Sequence, residues 1–309
     1  MISVIISAFQ RPESLKKTIN ALLNQTLAKN EFEIIVIVNE KDEKVLAIKE
    51  NLEEKGVKVI ETKEFFPDKK RNIGIKNAKG EIIAFTDDDC LPEKNWLENI
   101  KNAFEKDNEL TGIEGLTFTN NKKISHHATQ NITAGNYPAC NLAFKKTALI
   151  EVNGFDEKYN FFREDTDLAF KLLSKGKKII FSKKVKVFHP PRKIKLLNYL
   201  KELKMIKGDI RLWKKFPVLY KKHFGFVCKG LIKQSILSFI LLFLLFFGLI
   251  FNLWLALISL IAIFMAKYFI LLKGKEFTII EGILFSIITF LKDILFPFYF
   301  FYYFITEKV

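Results

Sequence analysis

Residues 234–266 run for 33 positions without one charged side chain. A helix needs ~20 apolar residues to cross the hydrocarbon core of a bilayer. The run is therefore too long for one span and slightly short for two. Extending it to Leu231 and Leu272 gives two expected spans, about 231–251 and 253–272, with a break near residues 251 and 252. Lys233 and Lys267 then lie near one membrane face, where their stems can snorkel. A third apolar stretch, 277–305, is interrupted by Glu281, Lys292, Asp293 and Pro297. Each charge held at mid-membrane costs about 2.5–3.5 kcal/mol. That stretch reads as a kinked span, a re-entrant hairpin or a helix lying partly in the interface. The competing reading of 231–309 is a soluble bundle of core helices.

The formal net charge of +15 suits nucleic acid or an anionic membrane. Where the charge sits decides between them. Residues 183–233 hold 16 Lys and Arg against only Glu202 and Asp209, and the rest of the chain nets +1. This basic block directly precedes the apolar zone, so the expected partner is membrane lipid and not nucleic acid. The positive-inside rule places the block and the 273–276 loop in the cytoplasm. Cys90, Cys140 and Cys228 are widely spaced and match no zinc pattern, which fits a reducing compartment. Residues 1–10 carry no basic leader, and their apolar run is too short for a signal peptide. The expectation is a multi-pass protein of the cell membrane with residues 1–190 in the cytoplasm.

Three zones follow: 1–190, 191–230 and 231–309. In the first, short apolar runs at 2–7, 33–38, 57–60 and 81–86 alternate with helical patterns at 15–23, 41–54 and 69–79, the last expected to stop at Gly80. Such alternation implies parallel strands covered by helices. Further strand-like runs occur at 112–119, 179–181 and 185–189, with a helix from about 164 to 174. In the second zone, Leu196, Leu200, Leu203, Ile210 and Trp213 form an apolar stripe within 193–215. Lys195, Lys201, Lys204, Arg211, Lys214 and Lys215 flank it, and Lys207 interrupts it. This reads as an interfacial helix bound to anionic headgroups, or as a helix docked on residues 1–190.

Asp87-Asp88-Asp89 directly follows the apolar run 82–86. Acids at the end of a buried parallel strand sit where open α/β sheets bind ligands. In extended chain Asp87 and Asp89 point the same way. Three adjacent carboxylates repel one another unless a cation relieves them, and a hard divalent ion is the natural partner. A solvated acidic turn would look the same in isolation. Glu164-Asp165 opens the later helix, where acids also favour the dipole without any chemical role.

Taken together, several segments in order resemble family 2 glycosyltransferases of the GT-A fold. They are Ser3-Val4-Ile5-Ile6-Ser7-Ala8-Phe9 with Arg11, then 33–40, then Arg71-Asn72-Ile73-Gly74-Ile75, then Ala78-Lys79-Gly80-Glu81, then 85–89, then Gly154-Phe155-Asp156 and 162–168. The resemblance covers about 2–190. It implies an α/β, Rossmann-like mixed sheet and an inverting sugar transfer from a UDP- or GDP-sugar to a lipid-linked or glycan acceptor. By resemblance, Ser7, Ala8, Phe9 and Arg11 line the nucleotide pocket, and Asp87 and Asp88 face the nucleotide. Asp89, with Asp87, holds a divalent metal, Mn2+ or Mg2+, and His189 completes that site; a histidine ending a strand is the plainer reading. Arg71 reaches the base or the diphosphate, or is a surface charge. Where the family often has Asp-Asp-Gly-Ser, this chain has Asn39-Glu40-Lys41-Asp42, so base recognition falls to Asn39 or Glu40. Asp165, with Glu164 beside it, is the expected catalytic base, since removing a proton from an acceptor hydroxyl needs one carboxylate. Residues 135–141 fit the loop on the acceptor side. His126 and His127 suggest no role. Alternatives are a polyprenyl-phosphate sugar synthase, a processive synthase and an inactive membrane scaffold. Ile210-Arg211-Leu212-Trp213 lacks the Gln-x-x-Arg-Trp pattern of processive enzymes.

Overall fold

The computed structural model describes residues 1–159, 162–250 and 272–308, and within 251–271 residues 254, 258, 261, 265 and 268. The chain divides into two compact units: 1–120 with 128–190, and 121–127 with 191–309. Residues 121–127 thus leave the first zone for the second unit.

The first unit is built on a sheet of eight strands. β1 (Ile2–Ser7), β2 (Phe32–Asn39), β3 (Lys58–Thr62) and β4 (Ile82–Asp87) run parallel, with β1 between β2 and β4. β1, β2 and β4 are covered on both faces, which is why each reads as a near-continuous apolar run. The sheet continues through β8 (Leu142–Lys145), β6 (Leu110–Phe118), β9 (Lys178–Phe188) and the two-residue β5 (Leu91–Pro92). β8 is antiparallel to both neighbours, so the sheet is mixed. The runs at 179–181 and 185–189 are one strand, β9, whose register against β6 slips between Gly115 and Leu116.

Helix Pro12–Leu23 starts with proline in its first turn and buries Leu15, Thr18, Ile19 and Leu22 at helical spacing. The single helix expected over 41–54 is two, Glu43–Leu46 and Lys49–Glu54, the first capped by the Asp42 carboxylate on the Val45 N–H. The next helix, Pro67–Asn77, ends before Ala78 turns extended, so Gly80 is not its cap. Gly80 instead passes against β1, where an added Cβ would lie 2.6 Å from the Ser3 nitrogen. Helix Trp96–Lys106 was not anticipated, although Trp96, Leu97, Ile100 and Phe104 are its buried face.

The second unit is helical, apart from a two-residue ladder of β7 (His126–His127) on β10 (Arg192–Lys193). Lys229–Ile250 is one helix, and within it Lys229–Gly248 is long and apolar enough to cross a membrane by length and composition. The expected span 253–272 lies almost wholly outside the described residues. The stretch expected at 277–305 is one helix, Ile279–Thr306, that keeps Pro297 inside it. Its charges have partners: Lys292 Nζ donates to Glu202 at 2.8 Å, and Asp293 Oδ2 accepts from Ser238 Oγ at 2.9 Å and Tyr268 Oη at 3.3 Å.

The segment 193–215 is not one helix. It contains Asn198–Lys201, a 3-10 turn at Glu202–Met205 and helix Ile206–Lys215. Leu203, Ile206 and Ile210 pack with Cys228 and Phe296. The Trp213 ring stacks on Phe304 at 6.0 Å. Leu203 and Ile210 of the apolar stripe are thus covered within the same unit, while Leu196, Leu200 and Trp213 stay half-buried. Arg211, expected on the polar flank, is buried against Glu307.

Candidate active site

The carboxyl ends of β1, β2 and β4 meet where the parallel register puts Ser7 beside Asp87 and Ile37. After Ser7 the chain leaves the sheet. The Ala8 N–H donates to the Ile37 carbonyl, the Phe9 N–H to Asp88 Oδ2 at 2.8 Å, and the Gln10 N–H to Asp42 Oδ2 at 2.6 Å. Two carboxylates therefore shape the turn that holds Ala8, Phe9 and Arg11. The Ala8 carbonyl accepts a 2.8 Å hydrogen bond from Lys70 Nζ, and Lys70 is fully buried. That burial lowers the Lys70 pKa from its ordinary value.

The three aspartates divide where β4 ends: Asp87 is its last residue, and Asp88 and Asp89 form the turn that follows, closed by the Cys90 N–H on the Asp87 carbonyl. Asp88 turns inward: it is fully buried, accepts from the Phe9 N–H and pairs with Arg11. Burial raises its pKa to about 7, against the pull of Arg11. Asp88, expected to face a nucleotide, is instead a carboxylate that fastens the turn after β1. Asp87 and Asp89 are half-buried and have different partners. Asp87 Oδ1 accepts from Arg71 at 3.0 Å, while Asp89 pairs with Arg11 and lies 3.7 Å from His189 Nε2.

His189 is 4% exposed, and its Nδ1 lies 3.2 Å from the Pro190 carbonyl. A proton on Nδ1 satisfies that carbonyl and leaves the Nε2 lone pair facing Asp89, the arrangement that prepares an imidazole for a metal. The Cys90 thiol is also within 4.8 Å of both groups, but burial pushes its pKa well above the usual range, so it stays protonated. The remaining donors are one carboxylate and one imidazole, a set that fits Mn2+ better than Mg2+. Asp87 and Asp89 each pair with an arginine, Arg71 and Arg11 respectively.

Arg71 is 5% exposed and is no surface charge. One terminal nitrogen holds Asp87 and the other holds Glu164 Oε1 at 3.1 Å, with the guanidinium over the Phe155 ring at 5.5 Å. A single side chain thus spans from the aspartate run to the start of helix Glu164–Ser174. Glu164 is raised to about 7, first by burial and then by the Asp165 charge, against Arg71. Burial raises Asp165 too, opposed first by the Ala139 N–H that donates to its Oδ2 at 3.0 Å. Asp167 is bound by the Tyr159 hydroxyl at 3.1 Å and lies beside Lys171.

Asn39 commits its side chain to the protein backbone: Nδ2 donates to the Lys63 and Glu64 carbonyls and Oδ1 accepts the Lys41 N–H. Glu40 is exposed. Asp42, passed over in the sequence, is the acid this stretch brings to the Gln10 turn. Lys70 was likewise missed, hidden in the run Lys69-Lys70-Arg71, as was Glu114, which holds the loop at 135–137.

Residues 3–157 match the family described as Glycosyl transferase family 2. The chain belongs to that family. Glycosyltransferase AglE of Haloferax volcanii is 34% identical over 104 residues, 31% of this chain and 33% of its own. The match therefore spans only about a third of that relative's length. The glucosyl-dolichyl phosphate glucuronosyltransferase of the same organism is 22% identical across 65% of this chain and 71% of its own. Among solved structures, mannosyltransferase PcManGT from Pyrobaculum calidifontis, in complex with GDP-Man and Mn2+, covers 100% of this chain and 88% of its own at 12% identity, with a TM-score of 0.60. The mixed sheet is that of a GT-A-like, Rossmann-related glycosyltransferase domain.

Proposed function

We propose that this chain is a membrane-anchored, metal-dependent, inverting glycosyltransferase that moves a sugar from a nucleotide-diphosphate sugar to a lipid-linked or membrane-proximal glycan acceptor. The observation that carries the reading is the Arg71 bridge, which ties Asp87, two residues before Asp89 and its neighbour His189, to Glu164, next to Asp165. The nucleotide packs against the turn at Ser7, Ala8 and Phe9. Asp89 and His189 hold a divalent ion, which when bound neutralises charge on the diphosphate. Asp165 takes the proton from the acceptor hydroxyl as the oxygen attacks the anomeric carbon opposite the leaving nucleotide. One carboxylate suffices, and configuration inverts.

The lipid-linked acceptor is supported by the likeness to the glucuronosyltransferase, whose name specifies a dolichyl phosphate substrate. A polyprenyl-phosphate sugar synthase is the neighbouring reading, with a lipid phosphate as acceptor. The intact carboxylates weigh against an inactive scaffold. Membrane anchoring is supported by helix Lys229–Gly248 and the basic residues before it, with the first unit on the cytoplasmic side.

Nucleotide release from UDP- and GDP-sugars is expected to fall at least 100-fold with excess chelator and to return with Mn2+. A rate indifferent to chelator removes the metal from the proposal. Protein that binds no nucleoside diphosphate with either ion present removes the enzyme. The kcat of the active chain is also expected to rise with pH through a limb near 7, where Glu164, raised by burial and by the neighbouring Asp165 charge, loses its proton. A profile flat from pH 5 to 8 puts the base outside this pair.

A further inference from the structure

Glu114 sits in the middle of β6 and is 1% exposed. Its carboxylate accepts four hydrogen bonds. Oε2 takes the Gly135 N–H at 2.8 Å. Oε1 takes the Asn136 N–H at 3.0 Å, the Tyr137 N–H at 2.7 Å and Asn131 Nδ2 at 3.0 Å. Three successive N–H groups converge on one anion only where the backbone curls into a nest. Gly135 at φ 106° and Tyr137 at φ 53° provide that curl. For tyrosine the left-handed region is strained, and such strain persists only where the surroundings hold it.

The far side of the same loop faces helix Glu164–Ser174. The Ala139 N–H donates to Asp165 Oδ2 at 3.0 Å, and Thr166 Oγ1 donates to the Asn136 carbonyl at 3.2 Å. The Tyr137 ring meets Phe170 edge-on at 6.3 Å. The loop is therefore clamped between a buried carboxylate on the sheet and the helix that carries the base.

We propose that Glu114 is a positioning residue: it curls residues 135–137 so that the Ala139 N–H is held against Asp165 and fixes the orientation of that carboxylate. This rests on the reading of Asp165 as the base. Glu114 touches no reacting atom and acts through the loop. The charged groups that face Asp165 are Arg71 from helix Pro67–Asn77 and Arg163 and Glu164 from its own segment. None of these is altered by a change at position 114.

The test uses the full chain in detergent, with whichever UDP- or GDP-sugar the wild type turns over. Glu114→Gln places an amide NH2 where the N–H groups converge, donor against donor. The expected result is a kcat lower by about 10–100-fold with donor KM within about threefold. The acid limb of kcat moves up by about one unit, because a carboxylate that loses an N–H partner holds its proton to higher pH. Ala139→Pro removes that N–H and puts a ring carbon in its place; Pro138 already has the ψ of 129° that a residue before proline needs. It is expected to shift the limb equally, and the double variant no further. Hydrogen exchange gives a readout that needs no turnover: residues 135–139 exchange faster in Glu114→Gln while 110–118 stay protected. Unchanged exchange at 135–139 overturns the proposal, as does a wild-type kcat and limb in a variant whose loop has loosened. If Glu114→Gln loosens the whole sheet, Ala139→Pro decides, and an unshifted limb overturns the proposal. A wild type that releases no nucleotide sinks the transferase reading itself, a failure distinct from either of these.

Discussion

Asp165→Asn lowers the rate of sugar transfer by about 10²–10⁴-fold, the usual contribution of a positioned general base, while nucleoside diphosphate binding changes by less than threefold. The substitution is nearly isosteric. Oδ1 of Asp165 accepts the Thr166 N–H at 2.7 Å, and an asparagine carbonyl can keep that bond. The amide NH2 then meets the Ala139 N–H, so the local loss is one hydrogen bond and the ability to accept a proton. The proposed donor contacts lie elsewhere, at the β1 turn and the aspartate run. Initial rates of nucleotide release and calorimetric titration with nucleoside diphosphate and Mn2+ separate the two effects. Transfer that survives places the base at another residue. Weakened donor binding means that Asp165 belongs to the donor pocket.

Arg71→Met destabilises the first unit by about 3–5 kcal/mol, because it leaves Asp87 and the buried Glu164 without the cation that pairs them. For a unit of this size the melting midpoint falls by about 6–20 °C. The sign of its pH dependence follows from which form Arg71 favours. The guanidinium stabilises the ionised carboxylates, so its loss matters most above pH 7, where Glu164 is charged. Below pH 6 Glu164 carries its proton in both proteins, and the gap between wild type and variant narrows. Thermal melts at pH 5.5 and 8 measure it. An equal gap at both values means that Arg71 acts through packing on Phe155 and not through charge. Transfer in this variant falls as well, since the tie between the aspartate run and the helix of Asp165 is gone.

What could be read from the sequence follows the range of the interactions involved. β1, β2 and β4 were legible because a strand buried on both faces needs apolar side chains at every position. β8, with four residues, is too short to carry a period, and helix Trp96–Lys106 shows one in retrospect at Trp96, Leu97, Ile100 and Phe104. At the site, Asp87, Asp89, Arg71, Glu164 and Asp165 stood out through their motifs. Asp88 was assigned to the ligand because three identical residues give no hint that the middle one points inward. Asp42, Lys70 and Glu114 were hidden for another reason: each bonds backbone groups 21 or more residues away, and a backbone N–H has no letter in a sequence. The stripe from Leu196 to Trp213 was visible as amphipathic. What covers it, including Phe296 and Phe304, lies some 90 residues later and carries no matching signal.

Arg11 reaches across from the first turn to Asp88 and Asp89, so the most acidic stretch of the chain meets a counter-charge supplied by the same polypeptide. That counter-charge comes from within the fold, in contrast to small domains that collapse only around a structural metal. On the proposed reading, a divalent ion held by Asp89 and His189 would compete with this internal arginine for the Asp89 carboxylate and would free it to meet the phosphates of the donor.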